Sequence, residues 1–163
     1  MRQRIYIDTS VIGGYYDGEF EEATKQLFER IINKEFFVYF SEVNETELEF
    51  APDHIKQVKS LIPSECIRHI EIDDEVETLT QTYINEKALG KSSENDAYHI
   101  ALASVNRLDC LISWNFKHIV NLGKIEKLVI GEDVKKPPLS ASAVIPSVEI
   151  FIPLAGLIDI DME

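Results

Sequence analysis

Short apolar runs alternate with helix-period segments along most of this chain. A chain of that pattern closes its core most simply as a parallel sheet with helices on both faces. Residues 4–8 (RIYID) read as a buried strand that ends in an acid, and residues 36–40 (FFVYF) as a central strand of aromatic and β-branched side chains. Further strands are expected at 67–72, 109–113 (DCLIS) and 127–131 (KLVIG), the last two flanking a short segment at 116–122. Helices are expected over 21–33, where Leu27, Phe28, Ile31 and Ile32 share one stripe, and over 42–50, 53–62, 74–89 and 93–107. Pro52 and Pro63 stop the second and third of these. Asp74 and Glu77 stand at capping-box spacing, with Gly90 at the end of that helix. Gly13-Gly14 reads as a flexible turn behind the first strand.

The length of 163 residues suits one domain with a sizeable core, and 45% hydrophobic residues are ordinary for a globular chain. Cys66 and Cys110 have no metal-ligand or redox spacing, so a reducing, cytoplasmic compartment is the expectation. The N-terminus lacks the apolar stretch of a signal peptide. The longest apolar stretch, 140–158, is interrupted by Pro146, Glu149 and Pro153, so no membrane association is expected. The net charge of −13 argues against a protein that simply coats nucleic acid. It leaves room for an enzyme that meets nucleic acid through a bound cation, or for a basic partner.

In a parallel sheet of this kind the crevice lies outside the carboxyl ends of the strands. Asp8 ends the first strand, Ser41 ends the second and leads into the helix bearing Glu47, and Ser113 ends a later one ahead of Asn115. At about 100° per residue, Val43, Thr46, Glu47 and Phe50 fall on one side of the 42–50 helix, opposite Glu42, Glu45 and Glu49. Glu47 is thus the acid on the apolar stripe, where it needs a cation or several donors. A lysine partner, a cap or a rotated helix accounts for it equally well. Asp96 shares a helix face with Ile100, although Ser93 and Asp96 also fit a capping box. Asp8 could equally cap the following turn through Thr9 and Ser10. Taken together, three acids fall where the sheet puts its crevice, and oxygen ligands without Cys or His nearby suit Mg²⁺ or Mn²⁺ better than zinc.

These segments, in this order, resemble the PIN-domain ribonucleases: IYIDTSVI at 5–12, SEVNETEL at 41–48, NDAYHIALA at 95–103 and LISWNFKHI at 111–119. The resemblance runs from about residue 4 to 131. It implies a three-layer α/β/α fold around a mainly parallel five-stranded sheet, and Mg²⁺- or Mn²⁺-dependent endonuclease chemistry on RNA. It also implies a toxin of the VapC type, paired with an antitoxin protein. Carried over by residue, Asp8, Glu47 and Asp96 form the catalytic and metal-binding acids, with Ser10 supporting them. Asn115 stands where the family usually has a fourth acid, two residues after Ser113, and brings a carbonyl oxygen without a charge.

Lys87, Lys91, Arg107, Lys117 and Lys124 are candidates for phosphate contacts, with scattered solubilising charge as the plain alternative for each. A catalytically degenerate PIN domain that binds RNA or protein is the rival reading, and a homodimer fits either. A serine hydrolase built on Ser10 or Ser41 has no nucleophile elbow. His99 falls on the less apolar side of its helix, which suggests a surface or hydrogen-bonding role. Trp114 suggests either base stacking or packing on the sheet. Residues 1–136 are expected to form the nuclease domain. Residues 137–163 form an apolar tail with Glu149 as the one charge between 143 and 158, expected to pack on the domain or a partner.

Overall fold

A computed structural model describes residues 2–85 and 94–115. Strand β1 (Gln3–Ile7) leads into helix α1 (Thr9–Gly13), a 3-10 turn (Gly14–Tyr16) and helix α2 (Glu21–Ile32). Strand β2 (Phe36–Ser41) is followed by α3 (Glu42–Glu49) and α4 (Asp53–Val58). Strand β3 (Ile67–Ile70), α5 (Asp74–Asn85), α6 (Glu94–Val105) and β4 (Cys110–Ile112) complete the described chain. The strands form a four-stranded sheet in the order β3-β2-β1-β4, and every pairing is parallel. Ile5 lies opposite Val38 on one side and Cys110 on the other. The parallel sheet is flanked by helices, as the α/β/α reading expects, and all strand carboxyl ends emerge at one edge.

The interior strand β1 explains the RIYID run. Ile5, Tyr6 and Ile7 are buried, because both faces of β1 are covered and both its edges are paired. Phe28, Ile31, Phe40, Leu102 and Leu111 complete the core around them. Burying each such aliphatic or aromatic side chain stabilises the fold by roughly 1.5–3 kcal/mol. Helix α6 is apolar nearly all round because it is enclosed: seven of its residues, from Ala97 to Ser104, are buried. The strand expected at 127–131, the segment 116–122, the tail beyond 136, Gly90 and Ser93 lie outside the described residues. Among the described residues no helix is long and apolar enough to cross a membrane. Cys66 and Cys110 are unpaired.

Four local expectations need correction. The Gly13-Gly14 turn is helical: α1 runs through Gly13, and Gly14 has φ −58° and ψ −18°. Gly14 is needed for its missing side chain rather than for a turn. A Cβ there would lie 2.5 Å from Trp114 Nε1 and 2.7 Å from Thr24 Oγ1, whereas one on Gly13 would meet nothing within 4 Å. The cap of α5 is Asp73, whose Oδ1 accepts the Val76 N–H at 2.8 Å, and not Asp74. The 42–50 helix is rotated from the expected register. Val43, Asn44 and Leu48 are its buried residues, Thr46 is exposed and Phe50 is 86% exposed. Finally, α6 ends at Val105, because Arg107 turns the chain with φ 50° before β4.

Candidate active site

The carboxyl edge of the sheet brings three elements to Asp8. The acid follows the last residue of β1 and caps α1, its Oδ1 accepting the Val11 N–H at 3.3 Å. Its N–H donates to the Ile112 carbonyl at 3.0 Å, which ties it to the end of β4. Ser10 Oγ donates to Asp8 Oδ1 and Ser113 Oγ to Asp8 Oδ2, each at 2.5 Å. Behind them the Trp114 N–H donates to Ser10 Oγ and the Asn115 N–H to Ser113 Oγ, both at 2.9 Å. Asp8 does cap its turn, as the plain reading had it, and is also 3% exposed at the edge where a site is expected. Burial pushes its carboxyl above the ordinary carboxylate range, while His99 and the two serines pull the other way without cancelling it.

Glu47 faces inward from α3 despite the rotated helix. Its Oε2 accepts from Thr9 Oγ1 at 2.5 Å and faces His99 Nε2 at 3.1 Å, and its Oε1 accepts from Asn95 Nδ2 at 3.0 Å. Burial pushes this carboxyl up, but the hydrogen bond and charge of His99, joined by Thr9 and Asn95, outweigh that and bring it down to about 2. Among the described residues neither a lysine nor a cap holds it, so the helix spacing was informative for the wrong reason: Phe50, its supposed neighbour on the stripe, points to solvent.

Behind Glu47 lies a buried polar chain. His99 Nδ1 is 2.8 Å from Tyr6 Oη, and Tyr6 Oη is 2.7 Å from Ser41 Oγ and 2.9 Å from Asn44 Oδ1. Asn44 is itself fixed, accepting the Ser41 N–H at 2.9 Å and donating Nδ2 to the Ile7 carbonyl at 3.0 Å. Proton roles follow by counting. Asn44 Oδ1 accepts only, so it takes the Tyr6 proton. Ser41 Oγ and His99 Nδ1 lie against the same phenol oxygen. The Glu47 carboxylate accepts only, so His99 Nε2 is the donor to it.

Asp96 lies half-buried near the start of α6, and its Oδ1 accepts from Asn115 Nδ2 at 2.9 Å. Asn115 therefore presents its amide N–H to the acid, not the carbonyl oxygen expected of a ligand. Trp114 packs inward: its ring stacks on Phe20 at 5.4 Å and its Nε1 donates to Thr24 Oγ1 at 3.0 Å, so it is no base-stacking platform. Arg107 stands at the amino end of β4, where its carbonyl accepts from Arg4 at 2.6 Å, at the opposite edge of the sheet from Ser113. Lys87, Lys91, Lys117 and Lys124 lie outside the described residues.

Sequence reasoning missed Thr9, Tyr6, Asn44, Asn95 and His99. His99 was assigned the less apolar side of α6 and is 2% exposed, although the hydrogen-bonding role holds. One signal was available: Asn95 and His99 are four residues apart, so they share the helix face that meets Glu47. For a hard divalent cation, the chemistry of Asp8, Glu47 and Asp96 fits. Among the described residues, however, no three Asp, Glu, His or Cys side chains meet at one point as ligands, and each acid is held on protein donors.

A parallel sheet with acids at its carboxyl edge agrees with the comparison to known families: the PIN domain model matches residues 5–115. The chain belongs to the PIN-domain family, whose members are generally nucleases that bind nucleic acid. A 38-residue stretch is 50% identical to the valine–tRNA ligase of Enterococcus faecalis, covering 23% of this chain and 4% of that protein. A 53-residue stretch is 34% identical to the valine–tRNA ligase of Lactobacillus acidophilus, covering 32% of this chain and 6% of that protein. The chain spans so small a share of these curated relatives that they carry neither fold nor function to it.

Proposed function

We propose that this protein is a Mg²⁺- or Mn²⁺-dependent endoribonuclease and the toxin of a toxin–antitoxin pair, acting in the cytoplasm. The observation that supports it best is the set of acids Asp8, Glu47 and Asp96 at the carboxyl edge of the sheet in a chain of the PIN family. Those acids would hold the ion. The bound metal supplies positive charge to stabilise the scissile phosphate and to acidify the attacking water. The chain's own part is positional. Ser10 and Ser113 fix both oxygens of Asp8, and Asn115 orients Asp96. Glu47, held low, stays ionised through the working pH range and can accept a proton from water only weakly. Asp8 is held high by burial before any ion binds. Lys87, Lys91 and Lys117 would meet the RNA phosphates, and the acidic surface would suit a basic antitoxin.

One observation favours a second reading, a PIN domain that binds without cutting: Asn115 leaves the site one charge short and hydrogen-bonds Asp96. Purified protein incubated with RNA in Mg²⁺, Mn²⁺ and a chelator separates the two. Metal-dependent cleavage that disappears in D8N and D96N while both variants remain folded supports the nuclease. RNA binding without cleavage in any metal supports the rival.

A further inference from the structure

We infer that His99, backed by Tyr6, is a positioning residue that fixes the Glu47 carboxylate to the sheet. As far as metal binding is concerned, this rests on the nuclease reading above. The argument starts with an anomaly in the core. Tyr6 sits at the centre of β1 with 0% exposure, where phenylalanine would give the same packing without a hydroxyl to satisfy. An unpaired buried hydroxyl is costly, so a phenol there has to be met by partners. It is met by three, Ser41, Asn44 and His99, and all are buried.

These side chains form one path with two defined ends. One end is main chain of the sheet: the Ile7 carbonyl at the end of β1 and the Ser41 N–H at the end of β2, both joined to Asn44. The other is Glu47 Oε2, 3.1 Å from His99 Nε2. The Tyr6 and His99 rings also pack against each other in a tilted arrangement, 5.5 Å between centroids. Two other donors reach Glu47, but both stand at helix starts: Thr9 is the first residue of α1 and Asn95 the second of α6. Helix ends fray. His99 lies in the enclosed middle of α6 and is 2% exposed. Of the three donors it is the one that cannot move without disturbing the core. A carboxylate on α3 is thereby held against β1, which Asp8 follows, and β2, which ends in Ser41.

The test compares the parent with H99L, which keeps bulk and removes the donor, and H99Q, whose amide can still reach Glu47. In crystal structures we expect the Glu47 carboxylate to leave the place between Thr9 and Asn95 in H99L and to keep it in H99Q. By calorimetry the Mn²⁺ Kd should weaken about 10–100-fold in H99L, the range seen for residues that orient ligands, and recover most of that in H99Q. In RNA cleavage kcat should fall in step while KM stays put. Should H99L not fold, Y6F, which removes a single atom, is read in the same way. A Glu47 carboxylate that stays in place in H99L or Y6F with parental Mn²⁺ affinity overturns the inference. So does a loss that H99Q does not restore at a temperature where all variants are folded. If the parent itself neither binds Mn²⁺ nor cuts RNA, the nuclease reading has failed, and the crystallographic comparison still decides the role of His99.

Discussion

Replacing Asn115 by aspartate would set a carboxylate oxygen where an amide N–H now donates to Asp96 Oδ1 at 2.9 Å. Two changes follow. A hydrogen bond to a charged group is lost, which costs about 1.5–3 kcal/mol. Two like charges are also brought together, which at about 4 Å costs ~1 kcal/mol in water and ~4 kcal/mol near a protein surface. Asp96 is half-buried and both side chains can turn apart, so about 3 kcal/mol in total is a reasonable expectation near neutral pH. At roughly 2–4 °C per kcal/mol for a chain of this size, melting should fall by about 6–12 °C without divalent metal. The sign with pH is fixed. The strained carboxyl has a folded pKa above its unfolded value, so the folded state binds the proton more tightly and the penalty is relieved as pH falls through that raised pKa. Mn²⁺ should reverse the penalty, because a cation turns the repulsion into a second ligand, and its stabilising increment should exceed that of the parent. Thermal melting at neutral and mildly acid pH, with and without Mn²⁺, measures all three effects. An N115D protein that melts with the parent in a chelator and gains no more from Mn²⁺ would refute the Asn115–Asp96 contact and the metal site built on it.

The remaining expectations concern single residues. G14A should lose about 2–3 kcal/mol, the usual cost of overpacking, since its Cβ would fall 2.5 Å from Trp114 Nε1; urea unfolding within about 0.5 kcal/mol of the parent, the range for neutral surface changes, would contradict that close approach. Glu47, brought from 4.5 to about 2, contributes stability that is present above its unfolded pKa and is lost as pH falls towards 2. E47Q should therefore be less stable than the parent at pH 7 by about 1–2 kcal/mol after allowing for partial exposure, and the gap should close in acid; a gap independent of pH would show that the carboxylate's charge is not what is stabilised. Asp8 has the opposite sign: its folded pKa is raised, so the stability it contributes is full below its unfolded pKa and is lost as pH rises. D8N should thus gain on the parent towards neutral pH without metal while losing RNA cleavage, and unfolding curves beside cleavage assays at matched pH check both.

The fold was legible where one physical rule acted alone. Strand β1 was visible because a strand buried on both faces must be apolar throughout, and α2 because a helix covering a sheet must carry a stripe. The place of Asp8 at the carboxyl edge was legible because a parallel sheet sends every carboxyl end to one edge. Reading failed where two elements distant in sequence make a joint demand. Gly14 looks like a turn glycine until Trp114, a hundred residues later, is found against it. The register of α3 could not come from its own apolar residues, because Asn44 is drawn inward by Ile7 and Tyr6 while Phe50 is left outside. His99 was misplaced for the same reason: its helix is enclosed on nearly every side, so no polar face exists to be read from the sequence.

The two acids that the sequence treated as equivalent are set apart by the elements that hold them. Asp8 is enclosed at the junction of β1 and β4, its partners are two neutral hydroxyls and one amide, and burial dominates, so its proton is held more tightly than usual. Glu47 is less deeply enclosed and meets His99, Thr9 and Asn95, so its proton is lost far more readily. The difference follows from placement: Asp8 is a strand-end residue fixed by the sheet, whereas Glu47 rides on a helix and is joined to the sheet through His99 and Tyr6. On the inference drawn above, the buried polar chain is what gives the phenol of Tyr6, in the middle of an otherwise apolar strand, its place.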